Sequence, residues 1–134
     1  RQMITYVSRE THTWIQKAAD LFGLGTKSIR WIPTDQDQRI DTSALRGQID
    51  EDLANGGFPF LVVGTAGTVS TGAVDPLPEI ASICHEYDLW FHVDGAYGLP
   101  GILDERLRRR YRGCAARGDR IQIRGGQLFF GKGT

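Results

Sequence analysis

The sequence predicts an α/β fold: a mostly parallel sheet with flanking helices. Two observations carry this expectation. Short apolar runs alternate along the chain with stretches of helical period, and glycine, proline or short polar turns separate them. At least one apolar run, Phe60-Leu61-Val62-Val63, is continuous rather than alternating, as suits a strand buried on both faces.

Taken in order, Met3 to Val7 reads as a strand. Thr11 opens a helix in which Trp14, Ile15, Ala18, Ala19, Leu21 and Phe22 recur at helical spacing until Gly23 and Gly25 stop it. Ser28 to Pro33 is a second strand, followed by the polar turn Asp35 to Gln38. Asp41 or Thr42 caps a helix through Leu45, Ile49 and Leu53, which Asn55-Gly56-Gly57 ends. Pro59 to Gly64 is the third strand. Pro76 begins a helix with Leu77, Ile80, Ala81, Ile83 and Cys84 on its apolar side, and Asp75 stands where an N-cap belongs. The strand Leu89 to Asp94 closes the unit, and Trp14, Trp31 and Trp90 read as core residues.

Beyond Leu103 the pattern degrades. Asp104 to Arg112 reads as a basic helix, and residues 113–134 as an irregular, basic and glycine-rich tail with poor order. The 134-residue chain has zero formal net charge, yet residues 106–124 hold eight Arg against the single acid Asp119. That segment is a solvated helix face or a basic patch for an acidic partner; without aromatic interleaving, nucleic acid is the weaker expectation. A frame-shifted or truncated reading of a longer gene is a third account of the tail.

Two cysteines, Cys84 and Cys114, without CxxC spacing or a histidine cluster, argue against a disulfide framework and a zinc site. No apolar run approaches the roughly 20 residues that span a bilayer, so a cytoplasmic location without membrane contact is expected.

Three features fall at corresponding edges of this unit and point to a single pocket. They are His12 at a helix start, the glycine- and hydroxyl-rich loop Gly64 to Asp75, and Asp94 at a strand end followed by Gly95-Ala96-Tyr97-Gly98. Gly95, Ala96 and Gly98 would let a flat ligand approach the backbone. Taken alone, Asp94 reads more readily as a strand-end carboxylate capping the next turn; the surrounding motif reverses that. Neither GxGxxG nor a P-loop pattern is present.

The blocks Gly67-Thr68-Val69-Ser70-Thr71-Gly72-Ala73-Val74-Asp75-Pro76 and Leu89-Trp90-Phe91-His92-Val93-Asp94-Gly95-Ala96-Tyr97-Gly98 resemble the group II pyridoxal-phosphate-dependent decarboxylases. The upstream stretch Ser8 to Ala19 is similar to the segment that supplies that family's ring-stacking histidine. The resemblance covers about residues 3 to 112. It implies that residues 1–112 are a partial cofactor-binding large domain of the aspartate aminotransferase-like fold, with 113–134 foreign to the family. It also implies an amino acid substrate, loss of its α-carboxylate, pyridoxal 5'-phosphate as cofactor, and a homodimer in the full-length parent.

By the same resemblance, Asp94 matches the carboxylate at the pyridine nitrogen, His12 the stacking imidazole, and Ala96 the small residue on the opposite face. Thr68 belongs to the loop motif; Val69 stands where several members carry a second threonine. The family's Schiff-base lysine lies in a Pro-His-Lys context that has no counterpart here, and Lys132 is the sole lysine after Lys27. The phosphate-binding Gly/Ser segment is expected ahead of residue 1 and the small domain beyond the tail, so the chain reads as an inactive fragment. Two alternatives stay open: another fold-type-I enzyme, such as a cysteine desulfurase or threonine aldolase, and a non-catalytic domain whose basic tail binds nucleic acid.

Overall fold

The computed structural model describes residues 1–98, 101, 104–109, 120–124 and 127–131. The expected α/β unit is present. Four parallel strands, β1 (Met3–Ser8), β2 (Ile29–Ile32), β3 (Phe58–Thr65) and β4 (Trp90–Asp94), lie in the order β2-β1-β3-β4. Helices α1 (Trp14–Leu21), α2 (Thr42–Ala54) and α3 (Leu77–Glu86) connect them.

Neighbouring strand residues point to opposite faces, and the apolar content of the strands divides accordingly. Tyr6 and Val62 pack with Leu45 and Ile49 of α2 and Ile80 and Ile83 of α3 on one face. Val7 and Val63 pack with Ile15 and Ala19 of α1 on the other. Right-handed crossovers require this split. The chain moves outward from β1 to β2, then back across β1 to β3 and on to β4, so α1 lies opposite α2 and α3. Strand order therefore reverses between β1 and β3, and the crevice at their carboxyl ends is where such sheets bind ligands.

A buried polar cluster anchors β1 to α2. The Tyr6 hydroxyl, wholly buried, donates to Asp52 at 3.1 Å, and the Arg30 guanidinium donates to the same carboxylate at 2.8 Å. Of the two cap candidates, Asp41 caps α2, accepting from the backbone N–H groups of Ser43 and Ala44.

Several expectations are corrected. Asp75 does not cap α3, whose N-cap is Pro76. Its buried carboxylate instead accepts from the backbone N–H of Thr65 at 2.7 Å and of Ile40 at 2.8 Å. Trp90 is 46% exposed rather than core, because its position on β4 alternates away from Phe91. The basic helix is short, α4 (Glu105–Arg108). Within the segment read as an irregular tail, β5 (Arg120–Arg124) and β6 (Gln127–Gly131) form an antiparallel pair, with β6 antiparallel to β4. Residues 110–119, 125–126 and 132–134, including Cys114 and Lys132, lie outside the described residues. Cys84 is a buried free thiol with its pKa pushed up to about 12 by burial, so it packs as an apolar group.

Candidate functional site

The three sequence features meet. A cavity of about 520 Å³ opens at the carboxyl ends of β1, β3 and β4, lined by His12, Trp14, Thr65, Thr68, Asp94 and Ala96, with Glu10, Val69 and Tyr97 at its margin. This is the switch-point crevice that the strand order creates.

Asp94 ends β4, paired in register with Thr65 at the end of β3. Its side chain is held on both oxygens. The Trp14 indole N–H donates to Oδ2 at 2.7 Å, and the Ala96 backbone N–H donates to Oδ1 at 3.2 Å. Each oxygen keeps capacity for another donor. His12 is exposed at the cavity, just ahead of α1, and its Nδ1 accepts from the Trp14 backbone N–H at 3.2 Å. That bond assigns Nδ1 as acceptor and leaves the proton of a neutral ring on Nε2.

The loop between β3 and α3 folds back on itself. Gly67 and Thr68 both donate to the Ala73 carbonyl, and Gly72 donates to Thr68. The Thr68 hydroxyl, at the cavity by sequence motif, is bound to the Thr71 hydroxyl at 2.6 Å, so it serves the loop's own structure. Ser70 donates to Glu10 at 3.3 Å, tying the loop to the segment that carries His12. Val69 is 68% exposed at the cavity mouth.

Gly98 has a different use from the expected one. A Cβ there would overlap the Ala66 carbonyl oxygen, and one at Gly67 would come within 2.7 Å of the Gly98 Cα. These glycines let two loop backbones touch each other, closing one wall of the cavity.

Three residues take roles beyond those the sequence suggested. Trp14 looked like an amphipathic core position, yet its indole reaches 80 residues along the chain to Asp94. Thr65, in the loop run Gly64 to Asp75, ends β3, and its hydroxyl is buried at the cavity with no hydrogen-bond partner. Asp75 holds the Thr65 backbone from below. Only the tertiary pairing of β3 with β4 reveals these contacts.

Beneath the cavity, His92 on β4 is 3% exposed and meets Trp14 edge to face, ring centres 5.7 Å apart. Burial lowers its pKa, and the Asp94 charge opposes that only in part. A histidine whose folded pKa lies below its unfolded value stabilises the fold fully above the ordinary value near ~6.5, and loses that contribution as pH falls through this value. The thermal midpoint is therefore expected to drop between neutral and mildly acidic pH, and to drop less in His92→Gln. Equal acid sensitivity of the two proteins would contradict this assignment.

The sequence profile of the pyridoxal-dependent decarboxylase conserved domain matches residues 1–121. The chain belongs to this family. It is 44% identical over 103 residues to the aromatic-L-amino-acid decarboxylase of Bacillus atrophaeus, covering 77% of this chain and 22% of that relative. The apo structure of mouse CSAD superposes with a TM-score of 0.82 at 40% identity, over 84% of this chain and 24% of that one. An Oryza sativa TDC solved with PLP and tryptamine superposes with a TM-score of 0.79 at 32% identity, over the same 84% of this chain and 24% of its own. The chain thus spans about a quarter or less of these relatives. The family model and these relatives support the decarboxylase reading over the other fold-type-I alternatives. The sheet and helices are a part of the large domain of this fold, and no helix among the described residues is long and apolar enough to cross a membrane.

The residues present fit the family's cofactor. Asp94 offers a carboxylate suited to a basic ring nitrogen, Ala96 places a single methyl at the cavity, and the unpartnered Thr65 hydroxyl needs a polar ligand atom or water. Among the described lining residues there is no lysine.

Proposed function

We propose that this chain forms the part of an amino acid decarboxylase that holds the pyridine ring of pyridoxal 5'-phosphate. The observation that carries the reading is Asp94, a carboxylate oriented through both oxygens at the switch-point cavity beside His12. When bound, the cofactor supplies an electron sink for the pair left behind as the substrate's α-carboxylate departs as carbon dioxide.

Each side chain has a separate task. Asp94 keeps a proton on the pyridine nitrogen by placing negative charge beside it. His12, with Nδ1 occupied as an acceptor, would cover one face of the ring and has Nε2–H left to donate to a substrate carboxylate. Ala96 is short enough to leave the opposite face open. The unpartnered Thr65 hydroxyl would meet a polar substituent of the ring, whereas the Thr68 hydroxyl bonds Thr71 within the loop. The amine that carries the cofactor in this family comes from outside the described lining, with Lys132 one candidate. Family resemblance further supports an α-amino acid substrate and a homodimeric full-length protein.

The test is titration with pyridoxal 5'-phosphate, followed by the visible absorbance of the bound cofactor. Saturable binding that Asp94→Ala weakens markedly supports the reading. Borohydride then separates the lysine question: covalent fixation on Lys132 assigns the amine to this chain, while cofactor that dialyses away places the amine elsewhere. Binding that is unaffected by Asp94→Ala would contradict the proposed site.

A further inference from the structure

We infer that Trp14 is the positioning residue of this cavity, holding Asp94 and His12 in mutual register through two different N–H groups. The inference rests on the cofactor reading above and goes beyond it by naming what fixes the two groups relative to each other.

The geometry is specific. The first N–H groups of a helix have no partner within the helix. Trp14 opens α1, its N-cap Thr13 makes no side-chain capping bond, and the Trp14 backbone N–H is satisfied by His12 Nδ1. The same residue's indole N–H donates to Asp94 Oδ2 at 2.7 Å. A neutral N–H donating to a carboxylate is among the stronger and shorter hydrogen bonds. Together with the Ala96 N–H on Oδ1, it fixes the rotation of the carboxylate about its Cβ–Cγ bond.

Packing makes the indole a rigid carrier of that bond. Trp14 packs with the α1-side core of Val7, Ile15, Ala19, Ile29 and Val63 and lies edge-on to His92. It lines both this cavity and an apolar groove of about 500 Å³ formed with Phe22, Leu61, Trp90 and Phe91. The docking of α1 on the sheet therefore decides where Asp94 points. A phenylalanine at position 14 preserves the ring, the wall and the backbone bond to His12 while removing one N–H.

A double-mutant cycle on the full chain tests this, reading the dissociation constant of pyridoxal 5'-phosphate and the visible circular dichroism that reports how the bound ring is oriented. Trp14→Phe is expected to bind about tenfold more weakly, the size of one hydrogen bond to a charged group, with a diminished dichroic band. In the Asp94→Ala background the same substitution is expected to change affinity little, because its partner is gone. Trp14→Leu, which keeps apolar bulk and carries no side-chain donor, provides a second variant should Trp14→Phe fold poorly. Wild-type affinity and dichroism in both variants would overturn the inference, as would an equal loss with and without Asp94, which would make Trp14 a wall and nothing more. If Asp94→Ala itself binds normally, the cofactor reading falls as well; if Asp94→Ala binds weakly and the Trp14 variants bind normally, this inference alone falls.

Discussion

Replacing Asp94 with asparagine is expected to slow carbon dioxide release by about two to three orders of magnitude while leaving the fold intact. The amide keeps an oxygen that can accept from the Trp14 indole, so the bond that orients position 94 survives. What disappears is the charge. An opposite charge within ~4–6 Å typically moves a pKa by one to three units, and each unit is about 1.4 kcal/mol, or tenfold in rate where protonation of the ring sets the barrier. The measurement is kcat of the protein carrying this segment, compared with the thermal midpoint of the same preparation. A midpoint near wild type with a collapsed kcat fits the account, and an unchanged kcat would remove Asp94 from the chemistry.

The second large effect is structural. Asp75→Ala is expected to destabilise the fold by about 3 kcal/mol, because it strands two buried backbone donors, the N–H groups of Thr65 and Ile40. Hydrogen bonds to a charged acceptor are worth roughly 1.5–3 kcal/mol each, but burial raises the Asp75 pKa, so removing the carboxylate also relieves a desolvation penalty. The net figure therefore lies near the lower end of the sum. Urea unfolding should show the loss as a lower midpoint at constant slope. Because Thr65 pairs with Asp94 across β3 and β4, cofactor affinity should fall together with stability. A variant as stable as wild type would mean that the two N–H groups find other partners.

The fold was legible because its parallel strands and helices carry strong periodic signals. β1, β3 and α2 need no long-range information, and the cap at Asp41 was read correctly from residue type. Asp75 shows the limit of that reasoning. An aspartate ahead of a proline-started helix looks like an N-cap, yet the turn after β3 delivers it to the ends of two other elements. Trp14 was hidden for a related reason: it lies in an apolar helical pattern that core packing explains, and it acts through a bond to Asp94, which is distant in sequence. The strands at 120–124 and 127–131 were missed although Arg120 to Arg124 alternates, because the alternation spans five residues amid Arg- and Gly-rich sequence, and pairing with β4 supplies the order that local propensity does not.

The most direct test of the central claim is the nitrogen-15 chemical shift of ring-labelled pyridoxal 5'-phosphate bound to the protein at mildly alkaline pH. The account predicts a protonated pyridine nitrogen in the wild type and an unprotonated one in any cofactor that Asp94→Ala still retains. An unprotonated nitrogen in the wild-type complex, or a protonated one that persists without Asp94, would contradict it.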